Sequence, residues 1–375
     1  MTQSSGRPSR PSKSASLPVF PWDTLADVTA AARAHPDGIV DLSVGTPVDA
    51  VAPVIRDALA AAGSAPGYPT THGTPALRDA AVAALQRRYG ITGLAPEAVL
   101  PVIGTKELIA WLPTLLGLHA ADVVVVPELA YPTYEVGALL AGTAVVRADS
   151  LTQLGPSVPA VVYLNSPSNP TGKVLGVDHL RKVVEWARER GVLVASDECY
   201  LGLGWEGATP VSVLHPDVCG GDHTGLLAIH SLSKTSSLAG YRAGFVAGDP
   251  EVVAELLAVR KHAGMMVPGP VQAAMVAALG DDEHEREQRA RYALRRDALL
   301  PAMRAAGFTV DHSEAGLYLW ATRDEPCRDT AAWLAERGIL VAPGEFYGPR
   351  GARHVRVALT ATDERIAAAV QRLAS

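Results

Sequence analysis

The sequence predicts an α/β fold: a three-layer, mostly parallel sheet with a smaller α+β domain attached. Three observations carry this. Short, unbroken apolar runs alternate with helical patterns, as strands buried on both faces of a parallel sheet require. After about Pro250 the character changes to one long charged helical stretch followed by short strand-like pieces. The 375 residues exceed what one small core needs and suit two domains.

In chain order, "MTQSSGRPSRPSKSAS" is rich in Ser, Pro and Arg and lacks an apolar core. It reads as a disordered tail over residues 1–16, not as a secretory signal. Order starts near Leu17, with a short helix capped by Asp23 and ended by His35-Pro36. In "GTPALRDAAVAALQRRYG", Thr74 caps, Pro75 opens and Gly90 ends a helix. Val123–Val126, Ala160–Leu164, Val192–Ser196, Leu226–His230 and Gly244–Gly248 read as strands. Asp178–Gly191 reads as an amphipathic helix with an Asp cap and a Gly stop. The long helix is "EHEREQRARYALRRDALLPAMRAAG", and "GLYLWAT" and "HVRVALT" are strand-like. The expected division is a segment 17–45 packing on the small domain, a large domain 46–260 and a small domain 261–375.

Composition narrows the function. The 33 basic and 39 acidic residues leave a net charge of −6, with no basic block, so nucleic acid is not an expected partner. No apolar run reaches the length of a membrane span. The three cysteines, Cys199, Cys219 and Cys327, form no C-x-x-C pair, so no disulfide framework or metal site is implied. A reducing cytoplasm is the expected location.

Ligands of open α/β sheets bind beyond the carboxyl ends of the strands. After Leu164 comes "NSPSNPTGK", after Ser196 comes "DECY", and after His230 comes "SLSKTSSLAGYRAG". Each alone reads equally well as a Pro/Asn turn, a helix cap beside a packing tyrosine, or a serine turn with a solvated lysine. Together they deliver an Asn, an Asp with a Tyr, and a Lys with two Ser to neighbouring strand ends. A phosphorylated nitrogen heterocycle bearing a phenolic oxygen needs that set. An acid holds the ring nitrogen, amide and phenol donors hold the oxygen, an amine binds covalently, and hydroxyls with a guanidinium hold the phosphate.

These motifs, in this order and spacing, resemble fold-type I pyridoxal-phosphate (PLP) aminotransferases of class I/II, and the resemblance runs from Leu17 to the C-terminus. It implies PLP as cofactor, with Lys234 as Schiff-base lysine and proton shuttle. Asp197 would pair with the ring nitrogen, and Tyr200 and Asn169 with the phenolic oxygen. Ser231, Ser233, Arg242 and the Gly104-Thr105-Lys106 turn would hold phosphate, the turn through helix N-terminal amides. Tyr131 matches the ring-stacking aromatic, while Tyr134 is expected in the core. Tyr68 would reach the neighbour's phosphate across a homodimer interface. Arg356 matches the substrate-carboxylate arginine, a bidentate clamp, with Arg350 and Arg353 solvated. Gly45 would lie close to substrate, although it reads equally as a turn glycine.

The stretches "SLPVFPWDTLADVTAAARAHPDGIVDLSVGTPVD", "YPTTHGTPALRDAA" and "RKHAGMMVPGPVQAA" resemble actinobacterial N-succinyldiaminopimelate aminotransferases. That implies glutamate and 2-oxoglutarate as one substrate pair, and a long dicarboxylic partner in diaminopimelate and lysine synthesis. Arg33, Lys106, Arg260, Lys261 and His262 are candidates for its distal carboxylates. The same residue set serves aspartate, aromatic or kynurenine aminotransferases and C–S β-lyases. A PLP-binding regulator fits less well, since no DNA-binding appendage is visible.

Overall fold

The computed structural model describes residues 12–374. Its centre is a seven-stranded sheet in the order Val99–Ile103, Ala243–Gly248, Leu226–Ser231, Leu193–Asp197, Val161–Asn165, Val123–Val126, Ala144–Arg147. All neighbours pair in parallel except at Ala243–Gly248, which is antiparallel to both of its neighbours. The sequence marks this strand but not its direction, because direction is set by the short connection through Ser233–Arg242.

Apart from the edge strand Ala144–Arg147, the side chains on these strands are covered from one face or the other, which explains the unbroken apolar runs. Val194, Ala228 and Phe245 face one helical layer. Ala195, Leu227 and Val246 face the other. Thr74 caps the helix Pro75–Tyr89 by accepting from Leu77 N, and Gly90 ends it with φ +68°. The helix Val177–Arg190 ends on Gly191 as expected, but its N-cap is Gly176 and Asp178 lies inside the first turn. Likewise, Asp23 caps no α-helix. It lies in the 3-10 turn Pro21–Leu25 ahead of the helix Ala26–Arg33.

A second core surrounds the four-stranded antiparallel sheet Ala342–Pro343, Val355–Ala358, Tyr318–Thr322, Thr309–Asp311. The N-terminal segment packs here. Val40–Asp41 pairs in parallel with Ile339–Leu340, and Leu25 packs with Trp320 and Phe346. Val267, Ala274, Met275, Ala278 and Leu279 are buried in the core of the large sheet. The expected boundary at 260/261 therefore falls inside this layer, and core membership changes along the long helix Glu283–Ala305.

Of the tail expected over residues 1–16, residues 1–11 lie outside the described residues. Lys13–Ser16 form a 3-10 turn rather than a disordered chain, and Lys13 Nζ donates to the Leu140 carbonyl at 3.0 Å. No helix among the described residues is long and apolar enough to cross a membrane.

Candidate active site

Asn165, Asp197 and Ser231 end three adjacent parallel strands, and Asn165 is in register with Asp197. This is why three separate motifs meet. Beyond these ends lies a pocket of about 680 Å³, lined by Gly45, Thr105, Lys106, Tyr131, Asn169, Asp197, Tyr200, Ser231, Ser233, Lys234, Arg242 and Arg356. Gly104 sits at its edge with φ +73°, and a Cβ there would lie 2.2 Å from Arg242 Nη2. That left-handed backbone is one glycine adopts readily and other residues rarely do, and a side chain there would displace the Arg242 guanidinium. Tyr68 is 99% exposed and lies outside the pocket.

Lys234 Nζ donates to the Gly45 carbonyl, so Gly45 holds the amine. Asp197 is buried and accepts from Tyr134 OH at 2.7 Å and Cys199 N at 3.2 Å. Burial pushes its carboxyl up, against those hydrogen bonds. Asn165 Oδ1 accepts from Asn169 N at 2.7 Å, and Asn165 Nδ2 donates to the Asp197 carbonyl at 3.0 Å. This pair ties two of the strand ends together. Ser233 N donates to Ser231 Oγ at 3.1 Å.

At the opposite wall Arg356 is buried. Nη1 donates to Asn169 Oδ1 at 2.9 Å and Nη2 to the Ser43 carbonyl at 2.7 Å, while Nε is buried without a partner. Its guanidinium lies 3.9 Å from the Tyr318 ring centroid. Burial would push the Tyr318 phenol up, but Arg356 and Lys234 outweigh it and hold it below the usual range. Tyr200 OH lies 3.1 Å from Tyr318 OH, and burial raises Tyr200 well above the usual phenol value.

Two charges in this pocket are therefore buried without a charged partner among the described residues: the Asp197 carboxylate on the floor and the Arg356 guanidinium on the wall. Uncompensated buried charges are costly. The set fits a ligand that brings a protonated nitrogen to Asp197 and a substrate that brings a carboxylate to Arg356.

Several contributors escape sequence reasoning. Tyr134 is in the core, stacked on Tyr163 at 4.9 Å, but it also donates to Asp197. Phe20 and Trp22 line the pocket mouth from the N-terminal segment. Tyr318 comes from the strand-like "GLYLWAT", where nothing local singles it out. Of the distal candidates only Lys106 reaches the pocket. Arg260 is fully buried in an ion pair with Glu107 at 2.8 Å, and Arg33, Lys261 and His262 are absent from the lining. Arg350 and Arg353 are more than half exposed and pair with Glu128 and Asp324.

Directly behind the floor, Glu198 and His230 are buried with Glu198 Oε2 and His230 Nε2 unpartnered and 3.6 Å apart. Burial pushes Glu198 from 4.5 to about 7 and His230 from 6.5 down to about 3. Between about pH 4.5 and 7 the folded chain keeps the Glu198 proton that the unfolded chain has released, so stability falls as pH rises through that window. His230 acts oppositely, losing stability as pH falls below 6.5. Glu198→Gln keeps the bond that Oε1 accepts from Val213 N and offers His230 a donor. Its melting temperature is expected to exceed wild type at about pH 8 and to match it near pH 4.5. Calorimetry at the two pH values checks this, and equal melting at the higher pH contradicts it.

Residues 37–373 match the family Aminotransferase class I and II. A probable aminotransferase of Mycobacterium tuberculosis is 80% identical over 98% of this chain and 87% of its own length. The 4-dedimethylamino-4-oxo-anhydrotetracycline transaminase OxyQ of Streptomyces rimosus is 60% identical over 95% of this chain and 99% of its own length. The solved structure of a probable N-succinyldiaminopimelate aminotransferase from Thermus thermophilus superposes with a TM-score of 0.85 at 28% identity, covering 94% of this chain and 99% of the other. With a site fitted to a protonated ring nitrogen and a carboxylate, and a family match spanning both cores, this chain belongs to the class I and II aminotransferases, the PLP-dependent transaminases.

Proposed function

We propose that the chain transaminates N-succinyl-LL-2,6-diaminopimelate, with 2-oxoglutarate as acceptor, yielding N-succinyl-2-amino-6-oxopimelate and glutamate. PLP, when bound, supplies the electron-withdrawing ring that stabilises the carbanion. In this reading Lys234 would hold the cofactor covalently, and its amine, once released, would be the group that takes up and returns the substrate's proton. Asp197 keeps the ring nitrogen protonated, with Tyr134 orienting its carboxylate. Asn169 and Tyr200 hold the phenolic oxygen, and Tyr131 covers the ring. Ser231, Ser233, Arg242 and the Gly104–Lys106 turn at the start of the helix Thr105–Leu115 hold the phosphate. Arg356 clamps the α-carboxylate.

The observation that carries the dicarboxylic substrate is the surplus cation. With Lys234, Arg242 and Arg356 engaged, Lys106 is the remaining lysine or arginine of the pocket lining. Its Nζ lies 5.4 Å from the Phe20 ring and 5.9 Å from the Tyr131 ring, at the mouth where a distal carboxylate would arrive. Lys106→Gln is expected to lower kcat/KM for the succinylated donor by about 10- to 10²-fold, while an alanine donor changes by less than about 2-fold. Steady-state kinetics with both donors is the test, and a uniform loss argues against the reading.

One observation favours a second reading. The mouth is walled by Phe20 and Trp22, and the 60% identical relative is named for a tetracyclic oxo substrate. A bulky planar ketone accepted faster than the oxopimelate would establish that alternative. Tyr68, 99% exposed on its own chain, supports a homodimer in which it completes the partner's phosphate cup. The composition and the three unpaired cysteines suit the cytoplasm.

A further inference from the structure

The long helix Glu283–Ala305 contributes no residue to the pocket lining, yet one of its faces is buried and polar. His284, Gln288, Tyr292 and Arg295 follow at intervals of four, four and three, which places them on one side of the helix. Their exposures are 7%, 3%, 0% and 3%. Buried polar groups are retained at a cost unless paired, and each of these is paired with one of two segments.

The first segment is the lysine's own backbone. Tyr292 OH donates to the Lys234 carbonyl at 3.0 Å, and His284 Nε2 lies 2.8 Å from Ser236 Oγ. The second is the loop that receives the lysine's amine. Gln288 Nε2 donates to Asp49 Oδ2 at 2.8 Å, and Arg295 grips both Asp49 oxygens at 2.5 and 2.8 Å. Burial would raise the Asp49 carboxyl, but Arg295 and Gln288 outweigh it and hold it below the usual range. Asp49 is four positions beyond Gly45, whose carbonyl accepts from Lys234 Nζ.

Asp281, His284 and Ser236 also have the spacing of a nucleophile relay, with His284 Nδ1 2.8 Å from Asp281 Oδ2. Ser236 is only 3% exposed and does not line the active-site pocket, so a substrate there does not reach it. The relay orients; it does not react.

We propose that His284, Gln288, Tyr292 and Arg295 are positioning residues for Lys234. One helix face fixes the separation between the lysine's backbone root and the Gly45 carbonyl that holds its amine, and so fixes where the amine can deliver a proton. The helix is also where the chain passes from the large core to the small one, so movement of the small domain would be felt at the lysine's root. The inference rests on Lys234 being the reactive amine, which the mass of the trapped peptide below tests separately.

Tyr292→Phe and Ser236→Ala remove one hydroxyl each and leave the packing volume nearly intact. For the holoenzyme of each variant kcat is expected to fall about 10-fold or more, with KM for the amino donor within about 2-fold of wild type. For each apoprotein, borohydride trapping of added pyridoxal 5′-phosphate on Lys234, followed by peptide mass, is expected to be slower than wild type. Wild-type kcat and trapping rate in both variants, or a lowered melting temperature with both rates unchanged, overturns the proposal. Cofactor trapped on another lysine in the wild-type protein overturns the assignment of Lys234 instead.

Discussion

Lys234→Ala is expected to lower transamination by at least about 10³-fold, the loss of both a covalent nucleophile and a positioned proton carrier. The alternative amine is Lys106, and its placement argues that it cannot substitute. Its Nζ sits over the Phe20 and Tyr131 rings at the mouth, whereas Lys234 Nζ bonds to Gly45 inside. Lys234 follows directly from the strand Leu226–Ser231, next to Asp197 on the neighbouring strand, and its carbonyl is held by Tyr292. The variant should fold, because the side chain removed is only partly buried and its single hydrogen bond goes to a backbone carbonyl. Single-turnover kinetics with glutamate and the visible absorbance of the covalently held cofactor are the two measurements. A variant that turns over at more than a tenth of the wild-type rate would show that another group carries the proton.

Asp197→Asn is the second large effect, expected at about 10² to 10³ in kcat, the scale of removing one preorganised electrostatic contact from a dry site. Asp197 is the only buried carboxylate lining the pocket, and it receives two donors, Tyr134 OH and Cys199 N. Asparagine can accept from Cys199 N with its oxygen and donate to the Tyr134 hydroxyl with its amide, so the local hydrogen bonds can be kept. It loses the charge that would hold a pyridine nitrogen protonated. The expected signature is a kcat loss with a smaller change in KM for the amino donor, since Arg356 on the opposite wall is untouched. An unchanged kcat would mean that the ring nitrogen is not held by Asp197. Tyr134→Phe tests the support beneath it and should show the same signature in weaker form.

The sequence made the floor of the site readable because each part is local. A strand end followed by a short polar motif marks where Asn169, Asp197 and Lys234 stand, and the three motifs taken together, in their order along the chain, point to one site. The Thr74 cap and the Gly90 and Gly191 stops are readable too, since they depend on neighbours a few positions away. What could not be read depends on distant partners. Ala243–Gly248 has the composition of any buried strand, and only its pairing with Val99–Ile103 and Leu226–Ser231 makes it antiparallel. Tyr134 reads as core and is core, but its hydroxyl gains a role only when Asp197 arrives 63 positions later. Arg260 is a candidate for a distal carboxylate by sequence, but its carboxylate partner is Glu107, 153 positions earlier. The long helix reads in the sequence only as a charged helical stretch, and its buried polar stripe takes meaning from the positions of Asp49, Lys234 and Ser236.

The hydrogen bond from Arg356 to the Ser43 carbonyl joins residues 313 positions apart. It has a consequence for how the chain is made. Every residue proposed to hold the cofactor within the subunit has left the ribosome well before Arg356 has. A nascent chain can thus gather the large sheet and its lysine while the segment from Leu17 to Gly45 still waits for its counterpart. The waiting segment carries Trp22, Leu25 and Val40, apolar side chains whose covering partners in the second core are not yet made. Such late, long-range closure makes the interval before Arg356 reaches Ser43 the one in which this segment is most exposed to mispairing.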